Sequence, residues 1–183
     1  EFRFFATKKN PTFEERLDYA LDSRANSNNS GEKLHDFNSN VVLEEIKEGP
    51  VKIYKFIPQN SNKDKYGIYF HGGGYFAGSV ISHKNLISQI SNDSNLIVYF
   101  FEYRLSPEYN FPSAHEDAKL AVDFISTLHP DDQSIWIGES AGGGLATGLV
   151  VDKEYFQKPD NLILLSPWLD LSDGFEDKKS VSY

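Results

Sequence analysis

The chain of 183 residues contains no cysteine. Disulfide bonds, cysteine-ligated zinc sites and a thiol nucleophile are therefore excluded. Methionine is also absent, even at position 1, which predicts that the sequence is less than the whole translated gene product. No apolar run approaches the roughly 18 residues that suggest a membrane-spanning helix. The first residues lack the charged-then-apolar pattern of a signal peptide. We therefore expect no membrane span and a cytoplasmic location.

Basic residues are fewer than acidic ones. The chain has 18 Lys and Arg against 27 Asp and Glu, a formal net charge of −9. Binding to a phosphate backbone requires clustered Lys and Arg, so a nucleic-acid partner is disfavoured. Hydrophobic residues make up 39% of the chain, with 14 Phe and 10 Tyr. This composition is typical of one globular domain with a substantial core, and a homo-oligomer is compatible with it.

The first element that the sequence indicates is a short helix near the N-terminus. Thr12 and Glu15 form a capping box, in which the two side chains satisfy backbone donors of the first turn. Apolar residues then recur at helical spacing over residues 13–21. Residues 22–39 are polar, which favours a loop or linker. We therefore expect residues 1–39 to form an N-terminal helix and linker, ahead of a core over residues 40–183.

The core shows strands alternating with helices. Strands are predicted over residues 41–48, 51–57, 67–70, 96–103, 134–138 and 161–165, and helices over 82–90, 112–128 and 142–156. This alternation implies right-handed crossovers and a mainly parallel sheet. The first two strands, joined by a tight turn at Gly49-Pro50, add an antiparallel edge. The expected fold is α/β, incomplete at the C-terminus.

Residues 138–142 have the sequence Gly-Glu-Ser-Ala-Gly, between a predicted strand and a predicted helix. This is the context of a nucleophile elbow, in which a serine sits on a strained strand-to-helix turn. Small residues at Gly138 and Gly142 let the backbone double back without a clash. The N–H of Ala141, at the start of the helix, would face a developing oxyanion. A glycine-rich helix start with an incidental serine is the alternative, and this motif alone does not distinguish the two.

A second motif, His-Gly-Gly-Gly at residues 71–74, directly follows the predicted strand that ends at Phe70. Three successive glycines let backbone N–H groups approach a ligand closely and permit positive φ. This is the pattern of the oxyanion loop of esterases. A phosphate-binding loop is the competing explanation, but the dinucleotide and Walker spacings are not met and no lysine follows.

At this point the chain resembles the hormone-sensitive-lipase-like branch of the α/β-hydrolases. The resemblance covers roughly residues 45–172 and does not depend on one short motif. Its segments, in the same order as in the family, are FHGGGY at 70–75, YRLSPE at 103–108, FPSA with ED at 111–117, GESAGG at 138–143 and SPWLD at 166–170. Two minor departures are Glu139, where the family often has Asp, and Gly144, where it often has Asn.

The resemblance implies a role for each matching residue. Ser140 would be the nucleophile, and the oxyanion hole would be formed by backbone groups of Gly72, Gly73, Gly74 and Ala141. His71 would shape the loop. Supporting positions are His71, Gly138, Glu139 and Gly142. Arg104 and Glu108 are expected to have a buried ion-pair or hydrogen-bonding role, and the helix over residues 13–21 to belong to a cap over the site. No metal or organic cofactor is implied.

The acid and base of a catalytic triad are missing from this pattern. In the α/β-hydrolase fold the triad follows the order Ser, Asp or Glu, His, whereas all five histidines precede Ser140. Asp170 comes too early for the acid, and His83 and His115 are expected to be surface or packing residues. Either the natural protein continues with its acid and base, the explanation we favour, or the gene product is truncated and inactive. This segment alone is expected to show at most weak turnover.

The predicted function is that of a carboxylesterase-type serine hydrolase acting on small-molecule esters. Tyr75 and Phe76, beside the glycine triplet, suggest an apolar pocket for a short or medium acyl chain. An amidase, deacetylase or lactonase on the same scaffold is an open alternative. A non-catalytic ligand-binding protein that lacks the triad acid and base is another.

Overall fold

The computed structural model describes residues 11–34, 36–47 and 49–170. The predicted division into residues 1–39 and 40–183 also includes residues outside this description. These are residues 1–10, His35, Glu48 and residues 171–183. The described elements, in chain order, are α1 (Phe13–Leu34), β1 (Val41–Ile46), β2 (Lys52–Pro58), β3 (Lys65–Phe70), α2 (Val80–Ser94), β4 (Ile97–Glu102), α3 (Ser113–Thr127), β5 (Gln133–Glu139), α4 (Ala141–Val151) and β6 (Asn161–Leu165).

The strands form one six-stranded sheet in the order β1-β2-β4-β3-β5-β6. β1 pairs with β2, and β2 with β4, in antiparallel fashion. The pairs β4–β3, β3–β5 and β5–β6 are parallel. The predicted α/β fold, with a mainly parallel sheet and an antiparallel N-terminal edge, is confirmed. Because β3 and β5 are neighbours and parallel, the segments that follow them emerge at the same edge of the sheet.

The sheet is covered on both faces. On one face, buried side chains of α3 and α4 such as Val122, Ile125 and Leu145 pack with Phe70, Phe101 and Trp136 of the strands. On the other face, Ile87 of α2 packs with Tyr69, Phe100 and Ile137. Neighbouring residues of one strand, such as Tyr69 and Phe70, therefore face opposite cores, as the two-residue period of a strand requires. This explains why these strands are continuously apolar.

The predicted loop over residues 22–39 is wrong for residues 22–34, because α1 continues to Leu34. Its second half docks on α2. Ser79 Oγ donates a hydrogen bond to Asn28 Oδ1 at 2.7 Å, and Asn85 Nδ2 lies 3.4 Å from the carbonyl oxygen of Gly31. These long-range contacts outweigh the weak helix propensity of Ser, Asn and Gly. The capping box at Thr12 and Glu15 is confirmed.

The predicted end of one helix is also wrong. The helix expected to reach Phe156 ends at Val151, because Lys158 Nζ donates to the carbonyl oxygens of Leu149 and Asp152 at 2.6 and 2.8 Å and so satisfies the end of α4.

Candidate active site

Ser140 lies at a sharp bend between β5 and α4. Its backbone has φ 50° and ψ −118°, a conformation that non-glycine residues rarely adopt. Two hydrogen bonds hold this bend: the Ser140 N–H donates to the carbonyl of Leu165 at 3.0 Å, and the Trp168 N–H donates to the carbonyl of Ser140 at 2.8 Å. The segment after β6 therefore supports the turn, a role that the sequence pattern at residues 166–170 had not assigned.

The glycine triplet forms a tight turn at the end of β3. Gly73, Gly74 and Tyr75 all have positive φ, at 112°, 61° and 64°. The carbonyl of Gly73 accepts hydrogen bonds from the N–H groups of Phe76 and Ala77 at 3.1 and 2.9 Å. A Cβ atom at Gly73 would lie 2.3 Å from the carbonyl oxygen of Ala77, so this position requires glycine both for its φ and for its space.

The elbow and the glycine loop are in direct contact. A Cβ atom built on Gly142 would lie 2.5 Å from the carbonyl oxygen of His71, and one on Gly72 would lie 2.6 Å from Glu139 Oε1. Glu139, just before Ser140, thus touches Gly72, and Gly142, two residues after Ser140, touches His71. The structure brings together the two motifs that the sequence placed 69 residues apart.

Backbone N–H groups at this junction are available to a ligand. Within the described part of the chain, the N–H groups of Gly73, Gly74 and Ala141 donate no hydrogen bond. Buried or half-buried N–H groups are nearly always paired in folded proteins, so unpaired donors beside a strained serine are notable. Such donors can stabilise the negative charge that develops on a carbonyl oxygen during acyl transfer.

A group of three side chains lies beside the bend. Tyr69 donates a short hydrogen bond to one carboxylate oxygen of Glu139, and His83 Nε2 lies 3.6 Å from the other. The imidazole of His83, followed by the hydroxyl of Tyr69, holds the pKa of Glu139 below its usual value, against the effect of burial. Burial, together with the nearby Glu139, raises the pKa of Tyr69. Glu139 is therefore a structural anion next to the serine.

His71 is completely buried. Its ring stacks on that of Tyr103, with centroids 4.0 Å apart, and its Nδ1 lies 2.7 Å from the carbonyl oxygen of Gly72. Since a carbonyl can only accept, Nδ1 carries the proton. Burial, followed by the nearby His83, lowers the pKa of His71 to about 3. A neutral, stacked imidazole packs beside the glycine loop and has no contact with Ser140 that would make it a base.

An open cavity of about 320 Å³ adjoins this junction. It lies between α1, α2 and the glycine loop, and its lining residues include Ser27, Leu34, Gly72, Gly73, Leu86 and Glu139. Tyr75 and Phe76 do not line it. Tyr75 packs near Trp168, and Phe76 lines a separate cavity beside Arg16 and Pro107. Their predicted role in a substrate pocket stays a prediction.

No histidine of the described ranges hydrogen-bonds the Ser140 hydroxyl. His83 bonds within its own helix, and His129 lies between Tyr99 and Asp132 on the far side of the core. His115 lies on α3 beside Gly148. His83 is buried and His115 is half-buried, which agrees with the expectation that these two are surface or packing residues. A general base for Ser140 is not found among the described residues.

Ion pairs hold the loop between β4 and α3. Arg104 Nη2 lies 2.9 Å from both Glu116 and Asp117, so the expected ion pair is present, but the Arg104 side chain is 38% exposed and the prediction that the pair is buried is wrong on the Arg104 side. Glu108 pairs instead with Arg24 of α1, at 2.7 Å. Arg24 was missed from the sequence, because it lies in the stretch assigned to a linker and its partner is 84 residues away.

Comparison with known proteins gives a consistent picture. A family model described as alpha/beta hydrolase fold matches residues 67–183. Ethyl acetate hydrolase of Pseudomonas putida is 36% identical over 106 residues, which are 54% of this chain and 33% of that protein. Arylacetamide deacetylase-like 2 of Homo sapiens is 32% identical over 139 residues, 69% of this chain and 35% of the relative. Versiconal hemiacetal acetate esterase of Aspergillus parasiticus is 28% identical over 131 residues, which are 69% of this chain and 42% of that protein.

Solved structures of esterases are also similar to this chain. An esterase from the bacterial hormone-sensitive lipase family superposes with a TM-score of 0.73 at 26% identity, covering 92% of this chain and 55% of the other. The esterase EstE5, in crystals soaked with p-nitrophenyl butyrate, gives a TM-score of 0.73 at 27% identity. The match covers 93% of this chain and 58% of the other. The chain thus spans less than half the length of the three relatives and just over half of these two structures.

Proposed function

Because the chain belongs to the hormone-sensitive-lipase-like branch of the α/β-hydrolase family, we propose that it carries the nucleophile and oxyanion hole of a serine carboxylic ester hydrolase. The observation that carries the proposal is the contact between the strained turn at Ser140 and the glycine loop at 72–74. A serine on such a turn, beside unpaired N–H groups, has the arrangement that acyl transfer requires.

In the proposed reaction the Ser140 oxygen attacks the carbonyl carbon of an ester, and a general base takes the hydroxyl proton. The carbonyl electrons move to the oxygen, which the N–H groups of Gly73, Gly74 and Ala141 stabilise. The tetrahedral intermediate collapses with loss of the alcohol, which takes up the proton, and leaves an acyl-enzyme. Water attacks that ester in the same way and releases the acid. The triad base and acid stay a prediction from the sequence.

The substrates are proposed to be small esters with a short or medium acyl chain. The names of two relatives, an ethyl acetate hydrolase and a hemiacetal acetate esterase, support acetate-sized acyl groups. Amide or acetyl-group hydrolysis is the second candidate, favoured by the relative named as a deacetylase-like protein. The described residues include no helix long and apolar enough to cross a membrane, and a cytoplasmic location stays a prediction.

The proposal is tested with the full natural protein that contains this segment. We expect hydrolysis of p-nitrophenyl acetate and labelling by a fluorophosphonate probe, and both should be lost in Ser140→Ala, with kcat reduced by about 10³-fold or more. A series from acetate to laurate esters tests the acyl preference, and a preference for long chains would contradict it. Activity that survives in Ser140→Ala would refute the assignment of the nucleophile.

A further inference from the structure

Arg24 of α1 makes four hydrogen bonds to two loops of the core. Its Nε donates to the carbonyl of Phe76 at 2.8 Å, and its Nη2 donates to the carbonyl of Ser106 at 2.9 Å. The remaining two bonds form a bidentate pair with Glu108, at 2.7 and 2.8 Å. Paired bonds to a carboxylate fix the orientation of a guanidinium as well as its position.

Phe76 belongs to the turn that carries the glycine triplet. Its N–H bonds to the carbonyl of Gly73, so the carbonyl that Arg24 holds and the N–H that closes the turn belong to the same residue. Four carbonyls in this turn are engaged by the protein: Gly72 by His71 Nδ1, Gly73 by the turn itself, Tyr75 by the N–H of Ser106, and Phe76 by Arg24. The N–H groups of Gly73 and Gly74 are left for a ligand.

The loop that contains Ser106 is tied to the same turn. The Ser106 N–H donates to the Tyr75 carbonyl at 2.8 Å, while the Ser106 carbonyl accepts from Arg24. One guanidinium therefore joins α1, the glycine turn and the loop after β4. The turn has positive φ at three successive residues, Gly73, Gly74 and Tyr75. A backbone in sparsely populated conformations persists only where its surroundings hold it in place.

We propose that Arg24 is a positioning residue for the oxyanion hole, which fixes the glycine turn from outside through the carbonyl of Phe76. The inference rests on the proposed function, since it assigns the N–H groups of that turn to an oxyanion. Lysine cannot replace arginine here, because one ammonium cannot span two carbonyls and a carboxylate with fixed geometry. Small displacements of positioning groups cost up to about 100-fold in rate.

The test compares Arg24→Lys, Arg24→Ala and Glu108→Gln in the full natural protein with p-nitrophenyl acetate as the probe. At a temperature where every variant is folded, we expect kcat to fall about 10- to 100-fold in the Arg24 variants. KM should change less than about threefold, because the turn acts on the transition state. Glu108→Gln should give a smaller loss, since both carbonyl contacts of Arg24 remain.

Glu32→Gln is the matched control. Glu32 also links α1 to the core through an ion pair, with Lys84 at 3.3 Å, but this pair does not touch the glycine turn. We expect its kcat to be unchanged. Equal losses in Glu32→Gln and Arg24→Lys, or a lower melting temperature in the Arg24 variants with unchanged kcat, would overturn the proposal and reduce Arg24 to a structural tie.

Amide hydrogen exchange separates this inference from the proposed function. The N–H groups of Phe76 and Ala77, which close the turn, should exchange faster in Arg24→Lys, while those of β5 should not change. An inactive wild-type protein would refute the proposed function, and the exchange result would still decide whether Arg24 holds the turn. Unchanged exchange at Phe76 and Ala77 would overturn the inference whatever the activity.

Discussion

Gly142 lies so close to Phe70 that a Cβ atom at Gly142 would be 2.0 Å from the Phe70 carbonyl oxygen. This approach joins the first turn of α4 to the end of β3. It therefore couples the serine turn to the glycine loop, and neither can move far without the other.

Replacing Gly142 with alanine should separate these two elements. The added methyl group meets backbone atoms, which cannot turn aside as a side chain can, so we expect a loss of more than about 2 kcal/mol in the free energy of unfolding. Urea denaturation measures it. Gly148→Ala in the same helix is the control: its new Cβ would meet only the end of the His115 side chain, at 2.7 Å. That variant should stay within about 1 kcal/mol of wild type. Equal losses would contradict the argument.

The strained backbone of Ser140 predicts a gain in stability when the side chain is removed entirely. Positive φ costs non-glycine residues about 1–3 kcal/mol, so Ser140→Gly should unfold at higher urea concentration, with a gain of about 1 kcal/mol after the entropy of glycine is subtracted. Ser140→Ala keeps its Cβ and should show no such gain. Both variants should be inactive. A Ser140→Gly protein no more stable than Ser140→Ala would show that the turn is not strained.

Glu139 predicts a dependence of stability on acid pH. Its pKa is lowered in the folded protein, chiefly by His83, so its contribution is fully present above the unfolded value of about 4.3 and is lost as the pH falls through the folded pKa. Glu139→Gln should therefore flatten the fall in unfolding free energy between about pH 5 and pH 3. Tyr69→Phe, which removes the second partner, should flatten it partly. Parallel pH profiles for wild type and Glu139→Gln would contradict this.

The close packing of α1 on α2 predicts that Gly31 cannot carry a side chain. A Cβ atom there would lie 2.0 Å from the carbonyl oxygen of Ser82, so Gly31→Ala should undock the second half of α1 and speed its proteolysis by several fold. Asn29→Ala, at an exposed position of the same helix, should leave cleavage unchanged or slower. Limited trypsin digestion, which can cut at Arg24 and Lys33, compares the two. Equal cleavage rates in all three proteins would refute the docking argument.

The parts of the fold that the sequence predicted correctly depend on local patterns. The serine turn could be placed because its five residues lie between an apolar strand and a helix, and the glycine triplet because it directly follows Phe70. Both constraints act within a few residues. The mainly parallel character of the sheet followed from the alternation of strands and helices, since parallel strands need crossover connections.

The parts that were wrong or missed depend on long-range contacts. The second half of α1 is poor in helix-forming residues, and its helix is stabilised by Ser79 and by the close approach of Gly31 to Ser82. The contact of Arg24 with Phe76 spans 52 residues, a distance at which one sequence carries no signal. The same holds for Glu139 and His83, whose proximity appears only when β5 and α2 are assembled.

Two of the hydrogen bonds that hold the Ser140 backbone involve Leu165 and Trp168, downstream of α4 in the chain. During translation, a nascent polypeptide that has emerged only as far as α4 holds the serine and the glycine triplet but lacks these ties. The Ser140 backbone therefore gains these two bonds only after β6 and the residues up to Trp168 have also left the ribosome.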